Sequence, residues 1–293
     1  MDLISETKQF CKSHNIKPAR SKGQNFLIKE KIYNKIIKVA DLNKNDVVLE
    51  VGPGLGFLTQ KLAEKVKKVI AVELDDKLAE VLENKRIKNV EVVNENILTS
   101  PPDPLSLVKK GGEVRRQKEG YKIVANLPYN ITSRFLRKFL EEVDNKPEMM
   151  VLMVQKEVAE RIIAKPGQMS LLAVSVQFYT DARIAGEVAK ESFWPKPKVD
   201  SAIVHLTRLR HPLLSKEREM SEAEKKFFRL VRAGFSAKRK QLQGNLKKEL
   251  KVEKDDIRKI LVECDLKETV RAQELSLEDW KRIFLVMDGR NML

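Results

Sequence analysis

The spacing of its short apolar runs constrains this chain more than any other feature. Residues 47–51, 69–74, 90–93, 123–125 and 149–154 are nearly continuous runs of Val, Ile, Leu, Ala and Met. Such runs suit strands covered on both faces. Stretches of helical period, among them 57–65, 76–84 and 133–143, lie between them. This alternation predicts an α/β domain, doubly wound and Rossmann-like, around a parallel sheet. Two more apolar segments, 171–179 and 201–209, read as later strands, and 101–120, rich in Pro, Gly and charge, reads as an extended loop. Beyond His211 only helical patterns remain. Ser221 with Glu224 makes a capping-box signature. Phe228, Val231 and Phe235 follow at helical spacing, then Leu242, Leu246 and Leu250, and Ser276 opens a last helix with Trp280 and Phe284. The predicted division is an α/β domain over 1–210 and a small helical domain over 211–293, with no internal repeat.

Where the first strand meets the first helix stands Glu50-Val51-Gly52-Pro53-Gly54-Leu55-Gly56. Glycines there permit a tight turn and let a ligand approach the backbone, while the helix start offers free N–H groups. The spacing does not fit the G-x-G-x-x-G dinucleotide fingerprint. An acid just before the turn, Glu50, is more typical of S-adenosylmethionine sites than of pyrophosphate sites. Glu73 ends the next strand, where a carboxylate can accept both hydroxyls of a ribose.

The fourth strand runs into Asn126-Leu127-Pro128-Tyr129. An amine on a heteroaromatic ring, such as N6 of adenine, is a poor nucleophile because its lone pair is delocalised. Acceptors that hold its two hydrogens favour a pyramidal nitrogen. The Asn126 side-chain oxygen and the Leu127 carbonyl can form that pair, and Tyr129 can stack on the ring. Pro128 fixes the backbone between them and biases Leu127 towards an extended conformation. No general base is needed, since the product amine loses its proton readily. His14, His205 and His211 are scattered and receive no role.

Charge then narrows the partners. The 293 residues carry a formal net charge of +15, which points to a polyanion, either nucleic acid or an anionic membrane surface. Cys11 and Cys264 form no metal spacing and suit a reducing compartment, and no apolar stretch approaches the ~18 residues of a membrane span. A soluble, cytoplasmic protein is expected. Lys17, Arg20, Ser21 and Lys22 form one basic cluster. Lys225, Lys226, Arg229, Arg232, Lys238, Arg239, Lys240, Lys247 and Lys248 form another with no acid between them. Lys22, Arg232, Lys238, Arg239 and Lys240 are the expected phosphate contacts.

Seven ordered motifs carry a family resemblance. They are Gly23-Gln24-Asn25-Phe26-Leu27, Glu50-Val51-Gly52-Pro53-Gly54, Val72-Glu73-Leu74-Asp75 and Asn126-Leu127-Pro128-Tyr129-Asn130-Ile131. The others are 193–201 (Phe-Trp-Pro-Lys-Pro-Lys-Val-Asp-Ser), 235–240 (Phe-Ser-Ala-Lys-Arg-Lys) and 271–276 (Arg-Ala-Gln-Glu-Leu-Ser). Over roughly 17–284 the chain resembles the rRNA adenine N6,N6-dimethyltransferases of the bacterial small-subunit type. The resemblance implies S-adenosylmethionine as donor and two adjacent adenines of the 3′-terminal small-subunit hairpin as target. It further implies the small-subunit precursor as partner, no membrane, and a monomer.

Carried over by position, Asn25 and Leu27 line the donor site, with Gly52 and Gly54 against the methionine part and Glu73 on the ribose. Asn126 and Tyr129 handle the target adenine, with Asn126 also at the donor, and Phe193 offers a second aromatic face. Asn96 stands where the family has Asp; its amide oxygen would accept from the donor's adenine without charge assistance. The nearest rival is a large-subunit rRNA adenine methyltransferase of the antibiotic-resistance type, against which the helical 271–276 motif weighs. A non-catalytic RNA-binding assembly or transcription factor is a second rival, and the basic balance disfavours a small-molecule methyltransferase.

Overall fold

The computed structural model describes residues 2–18, 23–99, 120–143, 145–208 and 222–293. The 101–119 part of the expected loop, Ser221 of the capping box, Lys22 and the 210/211 boundary lie outside the described residues.

Among the described residues, strands and α-helices alternate. The strands are β1 (Phe26–Leu27), β2 (Val47–Val51), β3 (Lys68–Glu73), β4 (Val90–Asn94), β5 (Lys122–Asn126), β6 (Met149–Gln155), β7 (Thr180–Val188), β8 (Phe193–Trp194) and β9 (Ser201–Arg208). The helices are α1 (Leu3–Ser13), α2 (Glu30–Ala40), α3 (Phe57–Ala63), α4 (Asp76–Asn84), α5 (Thr132–Arg137), α6 (Lys156–Ile162), α7 (Leu171–Tyr179), α8 (Glu222–Gly234), α9 (Leu242–Leu250), α10 (Lys254–Glu263) and α11 (Leu277–Gly289). Seven strands form one sheet in the order β4-β3-β2-β5-β6-β9-β7, and β1 pairs with β8 in a separate ribbon. β4, β3, β2, β5 and β6 run parallel, whereas β9 runs antiparallel to β6. The five apolar runs are therefore the parallel strands. Every residue of β2 is buried, Glu50 included, which is why its sequence reads as a block instead of an alternation.

Leu171–Tyr179 is a helix, contrary to the strand reading. Its apolar residues face nearly all round, with Ala173, Val174, Val176, Phe178 and Tyr179 all buried, so no 3.6-residue stripe marks the segment. The cue was its start: the Ser170 side chain accepts from the Ala173 N–H at 3.2 Å, as an N-cap does. The strand that lies beside β9 in the sheet, Thr180–Val188, follows immediately and mixes Gly, Ala and charge.

The chain divides into two compact units. One comprises Met1–Phe139, Asn145–Ala159 and Ala182–Arg208; the other comprises Leu140–Asp144, Glu160–Asp181 and Leu209–Leu293. The second unit thus draws α7 from the middle of the chain. Its core is aromatic. Phe178 stacks on Phe227 with centroids 4.7 Å apart, and Phe227 meets Phe284 edge-on at 5.7 Å. Trp280 is fully buried and lies 5.6 Å from Phe235. The Ser276 and Asp279 side chains cap α11 reciprocally. Among the described residues no helix is long and apolar enough to cross a membrane.

Gly234, which ends α8, packs against the Trp280 indole, and a Cβ there would also stand 2.9 Å from Leu242 Cδ1. Gly234→Ala should therefore overpack this core and cost about 1–3 kcal/mol. A urea titration followed by near-ultraviolet circular dichroism measures this, and an unchanged midpoint would contradict the packing described.

Candidate active site

The sheet order reverses between β2 and β5: β3 and β4 extend to one side, and β6, β9 and β7 to the other. Open α/β sheets bind ligands at the carboxyl ends of strands flanking such a point. The glycine turn leaves β2 there, and the Asn126–Tyr129 loop leaves β5. Gly52 and Gly54 have φ of 65° and 56°, which side chains with a Cβ adopt reluctantly. A Cβ on Gly52 would stand 3.4 Å from Pro128 Cδ, and one on Gly54 3.2 Å from Phe26 Cε1. The two loops are thus in mutual contact on one edge of the sheet.

A cavity opens between them. Its lining includes Asn25, Leu27, Glu50, Gly52, Gly54, Glu73, Leu74, Asn96, Ile97, Asn126, Leu127, Pro128 and Tyr129. All seven residues expected around a donor gather in this wall, together with the four-residue loop.

Two carboxylates dominate it. Glu73 is 7% exposed; its Oε2 accepts from the Gly54 N–H at 3.1 Å and its Oε1 from the Asp75 N–H at 3.0 Å. Each oxygen keeps a lone pair, enough for a vicinal diol. Burial pushes its pKa up, and the two backbone bonds act against that rise. Glu50 is 1% exposed, and its Oε2 has no hydrogen-bond partner among the described residues. Burial pushes its carboxyl from the ordinary 4.5 up to about 8; the Thr59 hydroxyl opposes this, and the Glu73 charge adds to it. A buried acid left in this condition favours a cationic or hydrogen-donating ligand.

Two apolar side chains also line the cavity. Leu74 is 57% exposed although large and apolar, and Ile97 is buried. Neither was singled out from sequence, although Leu74 directly follows Glu73. The Asn96 Oδ1 accepts from the Leu98 N–H at 3.0 Å, so only its second lone pair can receive a ligand's donor.

The loop that follows β5 is held at four backbone and side-chain points. The Leu127 N–H donates to the Met153 carbonyl at 3.1 Å, and the Ile131 N–H to the Pro128 carbonyl at 3.2 Å. The Thr132 hydroxyl donates to the Tyr129 carbonyl at 3.4 Å, and the Tyr129 hydroxyl meets Ser201 Oγ at 2.6 Å. Asn126 Nδ2 makes a long 3.5 Å bond to the Asn25 carbonyl. That bond leaves Oδ1, without a partner among the described residues, as the end of the amide that can accept a further donor. Burial raises the Tyr129 pKa, the Ser201 bond lowers it, and the Asp200 charge raises it. The ring therefore stays a neutral phenol.

Phe193 is placed elsewhere. It is 3% exposed, pairs with Leu27 across the β1–β8 ribbon, and packs in the core with Tyr33, Ile36 and Ile203. Its ring is not part of the cavity wall. The serine that closes the same 193–201 motif, Ser201, instead reaches the site through Tyr129.

In the helical unit the basic segment is less uniform than its sequence suggests. Lys225 pairs with Glu222, Lys226 with Asp288 at 2.7 Å, Lys247 with Glu253 and Lys248 with Glu249. Arg229, Arg232, Lys238, Arg239 and Lys240 are exposed and form no ion pair among the described residues. The turn that carries the last three is tied down by Asn245, which is 2% exposed and donates to the Gly234 and Ala237 carbonyls at 2.6 and 3.1 Å. Among the described residues no cluster of three or more His, Cys, Asp or Glu could hold a metal ion.

Comparisons with known proteins agree over nearly the whole chain. The family model described as "Ribosomal RNA adenine dimethylase" matches residues 15–288. The ribosomal RNA small subunit methyltransferase A of Dehalococcoides mccartyi is 41% identical over 286 residues, covering 97% of this chain and 93% of that protein. The protein of the same name from Enterococcus faecalis is 39% identical, with 95% and 93% covered. A dimethyladenosine transferase structure from Plasmodium falciparum superposes with a TM-score of 0.73 at 28% identity, covering 91% of this chain and 98% of that one. The 23S rRNA methyltransferase ErmE superposes at 0.69 and 29% identity, with 90% and 100% covered. This chain belongs to the ribosomal RNA adenine dimethylase family.

Proposed function

We propose that this chain dimethylates N6 of two adjacent adenines in the 3′-terminal hairpin of small-subunit rRNA, with S-adenosylmethionine as donor, during small-subunit biogenesis. The observation that carries this reading is the contact between the glycine turn and Pro128. It sets a site for a cationic nucleoside beside an amide oxygen that lacks a partner among the described residues. The curated relatives near 40% identity are named for the small subunit, which favours that target over the large subunit.

The residues fit the donor. Glu73 would take its ribose hydroxyls, Leu74 and Ile97 its adenine faces, Asn96 its adenine amino group and the Gly52–Gly54 turn its methionine part. Glu50 would supply a negative charge to a cation once it ionises, and a hydrogen-bonding carboxyl below that. When bound, S-adenosylmethionine supplies a methyl carbon made electrophilic by its sulfonium. Asn126 Oδ1 and the Leu127 carbonyl accept the two hydrogens of N6, which localises the lone pair and aims it. Tyr129 stacks on the target base, which must leave its helix to enter. Phe193, buried as it stands, would join that stack only by leaving the core. The exposed Arg232, Lys238, Arg239 and Lys240 bind phosphates, and Lys22, outside the described residues, is assigned the same role. The same reading takes the small-subunit precursor as the physiological substrate, a monomer as the working form and the cytoplasm as its location.

Asn126→Ala should abolish methylation of small-subunit rRNA, read by mass spectrometry after incubation with S-adenosylmethionine, while calorimetry still detects donor binding. Undiminished methylation by the variant would end the catalytic assignment, and stronger methylation of large subunits by the wild type would transfer the target.

Glu50 gives a pH signature. Its folded pKa of about 8 lies above its ordinary 4.5, so folding favours the protonated form. The associated stability is complete below pH ~4.5 and is lost as pH rises through about 8. Glu50→Gln should therefore flatten the decline in thermal midpoint across that window, and it should weaken donor binding above pH 8. Parallel pH profiles for the two proteins would contradict this.

Replacing Lys238, Arg239 and Lys240 by Gln should weaken RNA binding and reduce the slope of log affinity against log salt. The reduction should be about 0.7–0.9 for each phosphate that the variant no longer neutralises, with donor affinity unchanged. A retained salt slope would remove these residues from the interface.

A further inference from the structure

We propose that Ser201 is a positioning residue for the methyl-transfer step: its buried hydroxyl tethers the Tyr129 phenol and fixes the ring before RNA arrives. This rests on the reading of Tyr129 as the face that receives the target adenine.

The tether starts from a rigid part of the sheet. Ser201 is fully buried and opens β9, in register with Gln155 at the end of β6. Its neighbour Asp200 is clamped twice: its carbonyl accepts from the Lys156 N–H at 3.0 Å, and its Oδ1 from the Lys190 N–H at 2.9 Å. β6 also pairs with β5, where Asn126 lies opposite Met153. The bond from Tyr129 to Ser201 therefore passes over β6 and closes the catalytic loop onto the strand beyond it.

At 2.6 Å the contact is a full O–H···O hydrogen bond. It fixes the end of the ring farthest from the backbone, so a swing of the ring about the Cα–Cβ bond would break it. A stacking residue without such a bond must lose its freedom when the base enters, and that ordering opposes binding and alignment. The tether performs the ordering during folding. It also gives the tyrosine hydroxyl a purpose, since stacking needs only the ring.

The test uses the full chain, small ribosomal subunits carrying unmodified adenines, and S-adenosylmethionine. Tyr129→Phe and Ser201→Ala should each lower kcat about three- to tenfold, the range set by one net hydrogen bond, with donor affinity unchanged by calorimetry. The double variant should fall no further than either single one, because all three lack the same bond. A hairpin with 2-aminopurine at the target position should be quenched less by both single variants than by the wild type. If Ser201→Ala does not fold, Tyr129→Phe decides the matter, since it removes only an oxygen. Full kcat for Tyr129→Phe, or reductions that multiply in the double variant, would overturn the tether. An inactive wild type would count against the proposed function itself, which keeps the two failures distinct.

Discussion

The parallel pairing of β2 with β5, in register at Leu49 and Ile123, is the constraint on which the site depends. These are the neighbouring strands at which the sheet order reverses, so the loops that follow them leave one edge side by side. Neither loop needs a long excursion to meet the other. Gly52 and Pro128 come together because the sheet has already brought their strands adjacent, and the missing side chain at Gly52 allows it. The glycine turn and the Asn126–Tyr129 loop are consequently one mechanical object. Displacing either would disturb a ladder whose apolar residues are buried at 0–3% exposure.

Charge is divided along the same line. The turn side of the cavity carries Glu50 and Glu73, both buried and both held above the ordinary carboxylate range. The catalytic loop carries Asn, Leu, Pro and Tyr, with no group that ionises near neutral pH. This division fits chemistry in which one ligand brings a positive charge and the other needs hydrogen-bond acceptors more than a base. A carboxylate in place of Asn126 would add an acid to a site where burial already disfavours the charge of two. No histidine lines the cavity among the described residues, as suits a nucleophile prepared by geometry and not by deprotonation.

The parts of this architecture that sequence revealed were those fixed locally. Parallel strands declare themselves because both faces are covered, and a glycine turn followed by a strand-end acid is short-range chemistry. The helix Leu171–Tyr179 escaped because burial on all sides erases periodicity, leaving Ser170 as its local mark. The basic segment escaped in another way. Four of its lysines find acids at its margins or far along the chain, Asp288 among them. A window free of acidic residues therefore overstated the bare charge, and the arginines and the Asn245-tied turn retain it.

The 193–201 segment shows where motif reading reaches its limit. Resemblance by position gives Phe193 the role of a second aromatic face for the base. Pairing with Leu27 sets Phe193 in the core, while the serine eight residues later starts the strand that runs beside β6. From there its hydroxyl reaches Tyr129. A sequence specifies which chemical groups are present. Which of them faces a substrate depends on strand order and register, and those are settled by pairings too distant along the chain for any short motif to record.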